Sequence, residues 1–250
     1  DRIEILVRSA VETHPVPVDL EGLAAAPGGA GPGPLLDFLE LRGPVARSAA
    51  LEALEREVPV GRDASLGAQI AGVGHHLLER FDYRKGVTDY RSTTEHLLQE
   101  GGGVCQDFAH VMLGVLRLRG VPCRYVSGYL HVERGGDEPS QSHAWVEAYV
   151  AGHGWVGFDP THDCMPDERY VVVARGRDYD DVPPNRGIFI GSTRETLTAS
   201  VETRVAPPKD VAGLQEEIGQ LDVPVFQEQP PAAARRREDS DAAAQQQQQQ

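Results

Sequence analysis

The chain has 250 residues, 40% of them apolar, and a formal net charge of −14. That length can bury one substantial core with room for a small second module, and the charge argues against an electrostatic nucleic-acid binder. No run of 18 apolar residues is present, so no segment reads as a membrane span, and three cysteines without a C-x-x-C pair fit a reducing cytoplasm better than a disulfide framework.

In chain order, Ile3, Ile5 and Val7 alternate with polar residues, a strand pattern within residues 1–20. Residues 21–34 (EGLAAAPGGAGPGP) have the composition of a flexible linker. Residues 35–82 read as two or more helices, with Asp63 expected to cap the one that carries Leu66, Ile70, Val73, Leu77, Leu78 and Phe81. Thr93 is expected to cap a short helix ahead of Gly101-Gly102-Gly103. From Cys105 the spacing of Phe108, Met112, Val115 and Leu116 predicts a buried helix that Gly120-Val121-Pro122 ends. Residues 121–132 read as a strand or two, and 133–141 as an exposed loop. Ser142 to Val150 and Trp155 to Phe158 are β-prone on either side of Ala151-Gly152-His153-Gly154, which predicts a hairpin. Val171-Val172-Val173 and Leu197 to Val205 read as closing strands. Order is expected to decline from Pro207, leaving 207–250 a largely disordered tail that ends in an Arg-Arg-Arg cluster and six glutamines.

Three residues in these settings carry a chemistry. Cys105 opens a helix, whose unpaired N-terminal amides favour an anion and so a thiolate. The glycines before it allow positive φ and close approach of a substrate. Folding the predicted hairpin brings Asp159 close to His143, where a carboxylate fixes the imidazole tautomer and leaves the other nitrogen for Cys105. Nucleophile, base and orienting acid make the pattern of covalent catalysis. Taken singly, each has a plainer reading: a packed cysteine, a hydrogen-bonded strand histidine, an Asp-Pro turn. The glycine-to-helix setting, the hairpin and the Asp at its far end together favour chemistry.

Other groups read as structural. His153, His162 and Cys164 lie near one another without a usual zinc spacing, so no metal site is expected. His75 and His76 point about 100° apart on a helix, and His110 faces away from Cys105 on its own helix. Cys123 and Cys164 read as packing residues. Trp145 shares the strand face of His143, where it either shields the imidazole or lines the cleft, or else joins the core. No nucleotide or flavin fingerprint is present, and no cofactor is expected.

The stretches GGGVCQDFAHVMLGVLRLRGVPCRYVSGYL, SHAWVEAYV and GWVGFDPT, with GRDYDDVPP beyond them, resemble the transglutaminase-like superfamily in its bacterial, cysteine-protease-related branch. The resemblance runs from about Phe81 to about Val205. It implies an α+β, papain-like core over residues 35–206, with the nucleophile's helix packed on an antiparallel β-sheet. It maps the nucleophile onto Cys105, the base onto His143 and the orienting acid onto Asp159. It also implies a small N-terminal β-domain, of which residues 1–20 would be the last strand. His162 stands where the branch leads one to expect a small polar residue such as Asn.

The expected function is thiol-dependent acyl transfer at an amide bond, by hydrolysis of a peptide or protein amide substrate in the cytoplasm, with neither nucleic acid nor membrane as partner. Two alternatives share the residues: a protein transglutaminase joining glutamine to an amine, and a non-catalytic peptide-binding module on the same fold. The Cys105 amide is one oxyanion donor. A second is expected and the sequence does not place it; Gln99, six residues earlier, is separated from Cys105 by the three glycines.

Overall fold

A computed structural model of the chain describes residues 6–14, 18–23, 33–132, 142–183 and 200–219. The chain divides into two compact units, residues 1–205 and 206–250. In the first, helices α1 (Ala49–Glu57), α2 (Leu66–Arg80), α3 (Thr94–Glu100) and α4 (Cys105–Leu118) precede most of the sheet. A two-residue strand β1 (Asp82–Tyr83) follows α2, and β2 (Gly102–Gly103) leads into α4. Strands β3 (Cys123–Leu130), β4 (Ser142–Val150), β5 (Gly154–Phe158) and β6 (Tyr170–Gly176) form one antiparallel sheet in the order β5-β4-β3-β6.

Helix α4 is the centre of the unit. Every residue from Asp107 to Arg117 is buried, because one side of the helix meets β3 and β4 while α1, α2 and α3 cover the other. Ile70, Val73 and Leu77 of α2, Leu51 of α1, Leu97 of α3 and Val146, Ala148, Val156 and Phe158 of the sheet share its core. Each such side chain stabilises the fold by about 1.5–3 kcal/mol. Beneath the helices, Glu55 of α1 accepts hydrogen bonds from Arg62 and Arg119, so its charge is paired where it is buried.

The caps follow local chemistry. Ser48 and Ser65 accept hydrogen bonds from the Leu51 and Ala68 amides, each three residues on. Asp63, expected as the cap of α2, is instead part of the turn closed by the Ala64 N–H on the Gly61 carbonyl, two residues short of the cap position. Thr93 caps α3, and His96 accepts the Thr93 amide in return. Gly120, at φ 79°, follows the last turn of α4 in the left-handed region.

The hairpin of β4 and β5 pairs Val146 with Phe158 and Val150 with Gly154. Residues 121–132 supply one strand, β3. The Val171–Val173 run lies in β6, whereas residues 200–205, part of the second expected closing strand, form none. Val205 is 80% exposed there, so the segment has little apolar area to bury in a sheet. Residues 197–199 lie outside the described residues.

Residues 6–14 likewise form no strand, with Leu6, Val7 and Val11 exposed and the Thr13 hydroxyl donating to the Glu168 carbonyl. The rest of the expected N-terminal strand lies partly outside the described residues, as do most of the 21–34 linker and the 133–141 loop. In the second unit a helix, α5 (Pro208–Gly219), stands where declining order was expected. Proline at its first position is pre-set for a helix, and Asp210 suits the first turn. Residues 220–250 lie outside the described residues. Among the described residues no helix is long and apolar enough to cross a membrane.

Candidate active site

Backbone pairing assembles the first wall of the site. Strand β1 runs parallel to β2, with Tyr83 beside Gly103, and the Arg84 N–H donates to the Gly103 carbonyl at 2.8 Å. Of the glycine run only Gly101, at φ 69°, uses the left-handed region. Gly102 and Gly103 are required by space: a Cβ would come within 2.6 Å of the Asp82 carbonyl oxygen at the former and 2.5 Å of the Asp107 carboxylate at the latter. Asp107 accepts the Val104 N–H at 2.8 Å and the Thr88 hydroxyl at 2.6 Å. Burial raises its pKa against those hydrogen bonds. It therefore fastens the first turn of α4 to the loop after β1, with the half-buried Cys105 as the first residue of the helix.

The second wall is the hairpin. His143 lies near the start of β4, opposite Gly128 of β3, and Asp159 directly follows β5. The His143 Nε2 and Asp159 Oδ2 are 2.7 Å apart. With Nε2 donating to the carboxylate, Nδ1 is left for Cys105, whose side chain lies near enough to act on the ring electrostatically. Burial opposes charge on His143, but the hydrogen bond with Asp159 and the nearby Cys105 outweigh it and raise its pKa to about 9. Burial would raise Asp159, yet hydrogen bonds led by His143 and His162 hold it far below the usual carboxylate range. The sequence-predicted Cys105, His143 and Asp159 are thus brought together.

Asp159 is fully buried and heavily bonded. Its Oδ2 accepts from His143, from His162 Nδ1 at 2.7 Å and from the Tyr170 hydroxyl at 2.8 Å. Its Oδ1 accepts the Thr161 N–H at 2.9 Å and the Thr161 hydroxyl at 2.6 Å. The loop beyond is closed by Asp159 and Cys164 exchanging backbone hydrogen bonds. Trp145, 1% exposed, stacks near the His143 ring and meets Tyr170 edge-on, so both readings of that tryptophan hold: it is core and it backs the imidazole.

Two residues of the site were not singled out from sequence. Tyr170, from β6, is one. Tyr83 is the other: it lies near Cys105, and burial and that neighbour raise its pKa to about 12. Gln99 is exposed in the last turn of α3, and the side chain near Cys105 is Tyr83. Pattern reading misses Tyr83 because a two-residue strand has no periodicity; the available signal was a tyrosine after a helix end, ahead of a glycine run able to pair with it.

The remaining candidates separate. His143, Asp159 and His162 converge with one ligand atom each within 4.8 Å of one another, but five hydrogen bonds already occupy the carboxylate that a metal would need. His153 is exposed in the hairpin turn. Burial pushes the Cys123 thiol up to about 11 and also raises Cys164, whose sulfur lies 3.5 Å from the Tyr170 hydroxyl. His75 pairs with Asp163 at 2.8 Å. His110 is wholly buried on the nucleophile's own helix, its Nε2 accepting the Tyr179 N–H at 3.2 Å.

A helix opening on cysteine, packed against an antiparallel sheet that carries histidine and aspartate in contact, defines a papain-like α+β core. Residues 53–160 match the family model described as the transglutaminase-like superfamily. An uncharacterized Mycobacterium leprae protein is 46% identical over 132 residues, 51% of this chain and 47% of its own length. A protein-glutamine gamma-glutamyltransferase of Pseudomonas aeruginosa is 31% identical over 108 residues, 36% of this chain and 16% of its own. The crystal structure of a candidate cysteine protease from Cytophaga hutchinsonii superposes with a TM-score of 0.58 at 25% identity, covering 74% of this chain and 62% of that one. The chain spans about half the length of the mycobacterial relatives it matches.

Proposed function

We propose that this core is a cysteine acyl-transfer enzyme that hydrolyses a peptide or amide bond, with Cys105 as nucleophile, His143 as base and acid, and Asp159 as the group that orients His143. The observation that carries the reading is the His143 ring held at Nε2 by the buried Asp159 carboxylate, 2.7 Å away, with Cys105 near enough to help raise its pKa. A carboxylate donated to by five groups holds that imidazole in one tautomer and stabilises its charged form.

In this mechanism the proton of the Cys105 thiol passes to His143, and the sulfur attacks the amide carbonyl. The carbonyl oxygen becomes an oxyanion facing the Cys105 N–H at the start of α4. Tyr83 lies near Cys105, and its hydroxyl serves as the second donor when the oxyanion arrives. Collapse breaks the carbon–nitrogen bond as His143 returns the proton to the departing amine. A water then attacks the thioester, giving its proton to His143, and the acid and the thiol are released.

The test compares alkylation of Cys105, Cys123 and Cys164 across pH by mass spectrometry, in the parent protein and in His143→Ala. Cys105 reacts faster than the other two below about pH 8 and loses that advantage in His143→Ala. Equal reactivity of all three would leave a peptide-binding module as the function. The gamma-glutamyltransferase that the Pseudomonas relative is named for makes glutamine-to-amine transfer the second reading. It is separated by supplying a glutamine peptide with a primary amine: incorporated amine in excess of released acid assigns the core to transamidation.

A further inference from the structure

His162 has no part in that mechanism, yet it shares an oxygen with the base. Its Nδ1 and the His143 Nε2 both lie 2.7 Å from Asp159 Oδ2. The two rings are 5.2 Å apart, centre to centre, in a T-shaped arrangement. Asp159 is fully buried, whereas the His162 side chain is 49% exposed, so His162 is the path by which solvent meets the charge on that carboxylate. Thr161, between them in sequence, fixes the other oxygen and lies 3.2 Å from His162 Nδ1.

We propose that His162 is a positioning residue that acts on His143 through Asp159: by taking a share of the Oδ2 charge it keeps the His143 imidazolium acidic enough to hand its proton to a leaving amine. The inference rests on the reading of Cys105, His143 and Asp159 given above. The physical argument is a competition for one acceptor. A carboxylate that accepts from fewer partners holds each of them more tightly, and an imidazolium held more tightly gives up its proton less readily. The acceptor is crowded from every side. His143 reaches it from β4, Tyr170 from β6, and His162 and Thr161 from its own loop. Cys164 of that loop and Tyr83 of β1 both feel its charge. Cys105 of α4 lies near enough to act on the His143 ring electrostatically. Of these groups His162 alone is an exposed imidazole, the one donor that can turn away from the oxygen into water without opening a cavity.

The experiment reads His143 directly. In a Cys105→Ala background, which removes the thiol from the titration, the His143 ring protons are followed by NMR against pH with and without His162→Ala. His162→Ala raises the His143 midpoint by about half a pH unit or more, and His162→Gln, whose amide can still donate, keeps it near the parent value. A midpoint that stays within about 0.2 unit of the parent, or falls, in a folded His162→Ala protein overturns the proposal. If His162→Ala does not fold, His162→Leu, which fills the space without a donor, is titrated in its place under the same criterion. In the protein with its thiol, turnover of an amide falls more in His162→Ala than turnover of an activated ester, whose leaving group needs no proton; an equal fall in both also overturns it. Absence of any turnover would sink the proposed function and leave the NMR result to stand or fall by itself.

Discussion

At the scale of single residues, Tyr83 and His110 show how the site and the fold put opposite demands on polar side chains. Tyr83 is half exposed and lies near Cys105. Tyr83→Phe keeps the ring and removes one oxyanion donor, so turnover of an amide substrate should fall by about 10²–10³ while Cys105 alkylation keeps its rate. Unchanged turnover would remove Tyr83 from the mechanism. His110 is buried beside Arg117, and burial, then that cation, lowers its pKa from 6.5 to about 3. The folded state therefore holds His110 neutral while the unfolded chain protonates it. Its contribution to stability is present above about pH 6.5 and is lost as pH falls toward 3. His110→Gln retains an acceptor for the Tyr179 N–H but cannot titrate. Chemical denaturation between pH 6.5 and 4 should show a shallower loss of stability in that variant, by up to about 1.4 kcal/mol per pH unit. His143 has the reverse sign: raised to about 9, it stabilises fully below about 6.5 and loses that effect as pH rises through 9.

At the scale of elements, what was legible in the sequence was whatever repeats or punctuates. The apolar spacing from Phe108 to Leu116 and the stop at Gly120 gave α4, and Gly152-His153-Gly154 between two β-prone runs gave the hairpin and hence the meeting of His143 with Asp159. Contacts made by short or irregular pieces were not legible. The pairing of β1 with β2 involves two residues from each. The cap of α2 depends on which of Asp63 and Ser65 the preceding turn consumes. The glycines before Cys105 were legible as a loop feeding a helix but not as a packing requirement, because the sequence does not say that Asp107 folds back over them. Gly103→Ala tests that requirement. A methyl group 2.5 Å from the Asp107 carboxylate forces the first turn of α4 to shift. The variant should lose about 1–3 kcal/mol of stability in urea denaturation and, with it, the selective alkylation of Cys105. Gly101→Ala should strain the backbone instead, at φ 69°, without touching Asp107.

For the molecule as a whole, the matched segment, residues 53–160, contains all three residues of the proposed mechanism. It does not contain everything that holds them. Tyr170, which donates to Asp159, lies beyond it, and so does all of β6. The Arg117 side chain, buried near the end of α4, donates to the carbonyls of Glu40, Cys123 and Arg177. One guanidinium thus ties together segments 77 and 60 residues away on either side of it, and only the Cys123 carbonyl falls inside the matched segment. The smallest piece able to fold independently is consequently larger than the piece recognisable by descent. A fragment trimmed to 53–160 should give a broad, non-cooperative thermal transition, whereas one spanning 33–183 should melt as a single unit. Evolution of substrate range in such a core is then constrained at a distance: the segments that flank the recognisable part can diverge in side chain, because Arg117 reads only their main chain, but they cannot be deleted.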